Sequence, residues 1–331
     1  MLLGIPFTVL LLIVLALIFD FLNGFHDSSN IVATMIFSRA LTGRQALGIT
    51  AVAEFTGPFL FGVAVATTLG SEVLNDSQVK LSVTVAALIA SIVWNLLTWW
   101  LCIPSSSSHA LVGGLIGAAV VESGWGVVKM AGLGKVVLAL AISPLIGLIA
   151  GYLVMKAVLF LSRGASPKVN TLFKRGQIVT ALALALSHGT NDAQKTMGII
   201  TLGLVSTGVL ETFHVPLWVI AMCAAAIALG TATGGWRLIR TLGTKFFKVR
   251  PVHGFTTQVA SASVILTAAI LGGPVSTTQV VSSAIMGVGS AERLSKVRWG
   301  TARQIVMAWL TTIPVSALLS AGLALILRRW L

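Results

Sequence analysis

The chain has 331 residues, of which 56% are hydrophobic and only 9% charged, with 9 acidic residues against 22 Lys and Arg and a formal net charge of +13. A soluble domain carries about 25% charged residues, so nine acids cannot cover a water-facing surface of this size, and a soluble enzyme is excluded. The basic excess does not point to nucleic acid, because Lys and Arg sit in short runs between apolar stretches, as in the cytoplasmic loops of a membrane protein.

The first nineteen residues lack a basic n-region and run directly into Asp20, which predicts a first membrane segment rather than a cleaved leader. Apolar stretches fall at about residues 2–37, 46–69, 81–121, 136–160, 177–207, 217–235, 251–289 and 304–327. Four of these have the length of plain spans, about 20 residues. The other four would form straight helices roughly 46–60 Å long, against a hydrocarbon layer of about 30 Å, so each is predicted to break or fold back. The interruptions are Gly24–Asn30, Pro104–His109, Gly189–Lys195 and Pro274–Gln279. Cys102 and Cys223 lie inside apolar segments and imply neither a disulfide framework nor a metal cluster.

The order is the same in both halves: broken segment, plain span, re-entrant pair, plain span. Most Lys and Arg fall in loops 38–45, 161–176, 236–250 and 290–303. With these loops cytoplasmic, the pattern closes only if 81–121 enters from outside and 251–289 from inside, and both termini are then outside. The expected fold is an all-α polytopic integral membrane protein of two inverted-topology repeats, with broken helices and re-entrant helical hairpins. Residues 1–161 form the first repeat, 162–176 a short cytoplasmic linker and 177–331 the second. Carriers of this architecture hold substrate near the midplane. Trp125, Trp236, Trp299 and Trp330 read as interfacial anchors, Trp99 and Trp100 as packing, and Lys156 as a snorkelling side chain.

Ionisable groups inside a membrane segment are costly, so each is a functional candidate. Asp27 and Asp192 stand at matching places in the two halves and are the expected ligands of a hard cation. Asn30, Asn191 and Gln194 add carbonyl oxygens and Ser28 and Ser29 add hydroxyls, while Gly24 and Gly189 are expected to let the backbone open its own carbonyls. Such oxygens suit Na⁺ or Mg²⁺. His26, His188 and His109 are candidates for a proton or a softer metal, with helix packing the competing reading. Glu54, inside 46–69, is either a proton or cation ligand or a buried neutral acid.

Ser105, Ser106, Ser107 and Ser108 follow Pro104, and Ser276, Thr277 and Thr278 follow Pro274 after the apolar Val275. Proline followed by Ser or Thr is a natural helix start, and helix starts bind anions through exposed N–H groups. Two such starts from opposite faces would meet near the midplane; ordinary capping is the plainer reading. An anion beside two aspartates is repelled unless cations or protons lie between them, so symport is expected. Lys195 occupies the place of Asn30 in the first half, and either offers fixed positive charge to the anion or pairs with Asp192.

Asn23–Asn30, reading NGFHDSSN, and Ser187–Lys195, reading SHGTNDAQK, resemble the duplicated signature of the inorganic phosphate transporter (PiT) family, in particular its bacterial low-affinity members. The PSSSSH and PVSTTQ runs resemble that family's paired P-x-S-[ST]-[ST]-H elements, and Gly235-Trp236-Arg237 matches its second half. The resemblance implies a cation-coupled importer of inorganic phosphate in the cytoplasmic membrane. Asp27, Asn30, Asn191 and Asp192 would serve coupling, the hydroxyls after each proline would bind phosphate, and Glu54 would match a glutamate important for transport. The implied coupling ion is H⁺ or Na⁺, and bacterial relatives can carry divalent metal–phosphate complexes. No covalent cofactor is implied, and a homo-oligomer is left open. Three features depart from the pattern: Gln279 stands where histidine is usual, Lys195 where the Na⁺-type motif has asparagine, and the central loop is short. The first two leave the coupling ion open.

A sulfate permease of the same superfamily is the alternative within transport, although such carriers lose the Asp-containing motifs that are intact here. A channel fits poorly, because clusters broken into two halves suit occlusion more than a continuous pore. An intramembrane serine hydrolase built on Ser107 or Ser108 with His109 is the alternative from another class. No G-x-S-x-G elbow surrounds those serines.

Overall fold

The computed structural model describes residues 6–75, 79–245 and 250–329. The first half runs through α1 (Phe7–Phe37), α2 (Gly43–Leu60), α3 (Ala64–Thr67), α4 (Leu81–Trp100), α5 (Ser107–Ser123) and α6 (Met130–Leu161). The second runs through α7 (Val169–Ser206), α8 (Leu217–Thr233), α9 (Trp236–Lys245), α10 (Pro251–Ile270), α11 (Thr277–Glu292) and α12 (Trp299–Leu327). Among the described residues there is no strand, only an isolated bridge between Leu74 and Val128. Four helices, α1, α4, α6 and α12, are long and apolar enough to cross a membrane. Leu138, Leu145 and Leu153 on α6 and Leu310 and Leu318 on α12 face outward, a surface suited to lipid.

Two apolar cores enclose a buried polar layer. Val9, Leu12 and Phe19 of α1 belong to the first core, Ile31 and Met35 to the second, and Asp20 to Asn30 lie between them. Helix α7 passes the other way, from Ala181 and Leu184 in the second core to Met197 and Leu202 in the first. Leu111 and Leu115 of α5 pack in the first core, and Val280 and Ile285 of α11 in the second. The halves are therefore inverted in sense. They also exchange partners: α1 packs on α8 and α7 on α2, α5 packs on α12 and α11 on α6.

The two hairpins break where the sequence predicts, for local reasons. After α4 the chain turns through Cys102 at φ 55°, and after α10 through Gly272 at φ 71°, the left-handed position that ends many helices. Ser106 then caps α5 by accepting from the His109 N–H at 3.1 Å, and Ser276 caps α11 by accepting from the Gln279 N–H at 3.4 Å. At the mouths, Lys80 meets Glu122 at 2.7 Å and Arg250 meets Glu292. Each hairpin thus begins and ends at one place.

Other expected breaks are corrected. Helices α1 and α7 run unbroken through Gly24–Asn30 and Gly189–Lys195. The glycines serve close packing instead: a Cβ at Gly24 would lie 2.1 Å from the Ile227 carbonyl oxygen, and one at Gly189 2.4 Å from that of Glu54. The excess length of α7 is taken up at its N-terminal end, where Lys174 and Arg175 are exposed, so the helix projects beyond the apolar layer. It begins at Val169, inside the expected linker 162–176. The stretch 46–69 is no plain span, because α2 meets the next helical segment at 71°. Likewise 217–235 ends at Gly234, φ 70°, and turns into α9. Trp125, Trp236 and Trp299 are exposed, as anchors require, and Trp330 lies outside the described residues. Trp100, expected to pack, is 63% exposed, whereas Trp99 stacks against Phe25 and the Arg237 guanidinium.

Candidate functional site

The centre of the polar layer brings Asp27 from α1 and Asp192 from α7 onto one threonine. Thr277 Oγ1 lies 3.3 Å from Asp27 Oδ2 and 3.0 Å from Asp192 Oδ2. A hydroxyl has one proton to donate, so it can serve one carboxylate at a time. Thr278 donates to Asp27 Oδ1 at 2.8 Å and accepts from Asn30 Nδ2 at 3.1 Å. His188 lies among three acids, with Nδ1 2.7 Å from Glu54 Oε1 and Nε2 3.3 and 3.6 Å from Asp192 and Asp27. His26 Nδ1 flanks Asp27 at 3.2 Å. All of these side chains are buried.

Ligand atoms of Asp27, His188 and Asp192 lie within 4.8 Å of one another, a spacing that fits one cation. Two carboxylates and an imidazole suit a divalent ion as well as a proton. The sequence-expected pair Asp27 and Asp192 is thus brought together with His188 and Glu54. Three buried carboxyls, Asp27, Glu54 and Asp192, gather around His188, and Lys195 is paired with one of them, Asp192. The balance has to come from protons or bound cations, because unpaired buried charges are too costly to persist.

Lys195 stands against Asp192 and between the hairpin tips. Its ammonium donates to Asp192 Oδ1 at 2.6 Å, Ser108 Oγ at 2.6 Å and the Val275 carbonyl at 2.8 Å. An ammonium has three donors, and all are taken by the protein. In this arrangement Lys195 pairs with Asp192 and bridges both hairpin tips, which also meet directly where Ser108 donates to the Val275 carbonyl at 3.3 Å.

The other hydroxyls divide by task. Ser107 donates to Asn23 Oδ1 at 2.7 Å, and Asn23 Nδ2 donates to Asp192 at 3.2 Å. Ser105 turns back to Thr98 at 2.8 Å, while Ser106 and Ser276 are the helix caps. His109 Nδ1 pairs with Ser106 at 2.7 Å and lies 3.5 Å from Gln279, away from Ser107 and Ser108, so the triad-like arrangement of a serine hydrolase is absent among these residues.

Some expected oxygen ligands are placed elsewhere. Gln194 accepts from the Val65 N–H at 2.8 Å and donates to the Gly62 carbonyl at 2.7 Å, satisfying the backbone at the bend after α2. Asn191 is different: its Nδ2 donates to the Gly273 carbonyl at 3.2 Å, while its Oδ1, the expected ligand atom, is buried without a partner. Ser28 accepts from the Gly235 N–H at 3.0 Å, at the break after α8, and donates to the Phe25 carbonyl; Ser29 donates to the His26 carbonyl. Sequence reasoning passed over Asn23, which bridges the first motif to Asp192, although it opens that motif.

Similarity to known proteins runs along nearly the whole chain. The sequence profile described as the phosphate transporter family matches residues 23–320. A Bacillus subtilis protein described as a probable low-affinity inorganic phosphate transporter is 42% identical over 94% of this chain and 95% of its own length. A Rhizobium meliloti protein of the same description is 46% identical over 94% and 93%. A solved structure described as the sodium-dependent phosphate transporter superposes with a TM-score of 0.89 at 26% identity, covering 98% of this chain and all of that one. The family profile spans most of the chain and the relatives match nearly its whole length, so this chain belongs to the phosphate transporter family.

Proposed function

We propose that this transporter imports inorganic phosphate across the cytoplasmic membrane in symport with cations. The observation that carries the reading is the central charge pattern: Asp27, Asp192 and Glu54 against one fixed cation, Lys195. An anionic substrate worsens that imbalance, so it enters only with positive charge. Descriptions of the relatives as phosphate transporters, one of them sodium-dependent, support the same reading.

Phosphate would bind where the tips of α5 and α11 meet, exchanging the internal bonds of Ser107, Ser108, Thr277 and Thr278 for bonds to its oxygens. Each charged hydrogen bond contributes about 1.5–3 kcal/mol. Asp27, Asp192, His188 and Glu54 would hold the coupling charge, with Asn30 and Asn191 supporting the two motif helices. Because Lys195 already neutralises one carboxylate, protons or a divalent metal carried with phosphate are favoured over several Na⁺ ions.

Uptake of labelled phosphate into proteoliposomes, with Na⁺ gradient, pH gradient and divalent metal varied separately, tests this. Asp27→Asn and Asp192→Asn keep shape and remove charge, so each is expected to abolish concentrative uptake while phosphate still binds. Full transport by both variants would overturn the coupling assignment. Strict Na⁺ dependence, indifferent to pH and metal, would overturn the preference for protons or metal–phosphate.

A further inference from the structure

Asp20 belongs to neither of the groups described above. It lies two helical turns before Asp27 on α1, is completely buried, and accepts from the Thr196 hydroxyl of α7 through Oδ1. Its Oδ2 has no hydrogen-bond partner. The titratable groups that face it are Asp192 and Lys195 on α7 and the Cys223 thiol on α8. Helix α4, which also packs on α1, carries no titratable side chain. Asp192 opposes a second negative charge, and Lys195 is already held by Asp192 and both hairpin tips.

A bare carboxylate at this place would lack a cationic partner, at a cost of several kcal/mol. A Na⁺ or Mg²⁺ ion would need several oxygen ligands. The Thr196 hydroxyl is bonded to the carboxyl here, and among the described residues the acid-and-histidine cluster spaced for a cation is Asp27, His188 and Asp192, not Asp20. A proton needs no such shell.

We propose that Asp20 is a proton-binding site of the transport cycle. The carboxylate takes up a proton from one side, forming an O–H bond at Oδ2, and that bond breaks when the proton leaves to the other side, regenerating the carboxylate. Asn23, one turn further along α1, is bonded to Asp192 and Ser107, so the central site begins one helical turn from Asp20. This inference rests on the cation-coupled reading and names one carrier of the coupling charge.

Infrared spectra of the purified protein in lipid test the proton directly. At neutral pH the wild type is expected to show a carboxylic-acid C=O band that Asp20→Asn loses and Asp20→Glu restores at a shifted frequency. Thr196→Val, which removes the hydroxyl donor to Oδ1, should shift the band without abolishing it and covers the case in which Asp20→Asn does not fold. In proteoliposomes, Asp20→Asn should lose accumulation driven by a pH gradient and retain phosphate exchange. Absence of the band, or pH-driven accumulation unchanged in Asp20→Asn, overturns the proposal. A wild-type protein that moves no phosphate under any gradient would sink the transport reading instead, while the band would still decide whether Asp20 holds a proton.

Discussion

The ammonium of Lys195 has three donors and three protein acceptors, one of them the carboxylate of Asp192. Lys195→Met would leave Asp192 as an uncompensated buried charge, expected to destabilise the fold by about 3–5 kcal/mol, read as a lower thermal midpoint in detergent. Lys195→Asn leaves the same deficit but supplies an amide oxygen. There Na⁺ can take the place of the ammonium, so uptake compared in Na⁺ and choline should become Na⁺-stimulated; equal rates would show that Lys195 does not substitute for a cation. Asp27, Asp192, Glu54 and His188 were legible in the sequence because a charge inside an apolar run has few structural excuses. Gln194 was not. An amide that ligates an ion and one that satisfies a bent backbone look the same until the break beside Gly62 is placed against it.

Glycine carries the same ambiguity at the level of helices. A glycine in an apolar run can open a helix or let a neighbour approach, and the sequence favoured opening at Gly24 and Gly189. The fold uses both for approach, with carbonyl oxygens 2.1 and 2.4 Å from where a Cβ would sit. Gly24→Ala and Gly189→Ala should therefore force α1 from α8 and α7 from α2, each costing about 1–3 kcal/mol of overpacking. Thermal unfolding of the two variants checks this, and wild-type midpoints would mean that the seams relax freely. The hairpin breaks were easier to read, because Pro104 and Pro274 cannot continue a helix and the hydroxyls that follow can start one. The bend after α2 lacks the hydroxyl run that starts a new helix, and is marked by Pro58 in the last turn of α2 and Gly62 at φ 78°.

For the molecule as a whole, inversion follows from the order in which α1 and α7 cross the two cores, but sidedness rests on charge. Arg39, Arg44, Arg163, Lys168, Lys174, Arg175 and Arg293 lie in or beside loops that the inverted fold gathers on one side. By the positive-inside rule that side would be the cytoplasmic one. The α4–α5 hairpin then opens to the outside, with Ser123 at the end of α5, and the linker between halves, with Ser166, lies inside; both serines are exposed. Ser123→Cys should react with a membrane-impermeant maleimide added to intact cells, and Ser166→Cys only after permeabilisation. Cys223 is buried and contributes little background, and Cys102→Ala removes the other thiol. The two positions belong to opposite surfaces whichever way the protein inserts, so reversal of both results would invert the assignment of sides and leave the fold intact. Labelling of both from the same face would contradict the order in which the helices pass through the two cores, and with it the inverted architecture itself.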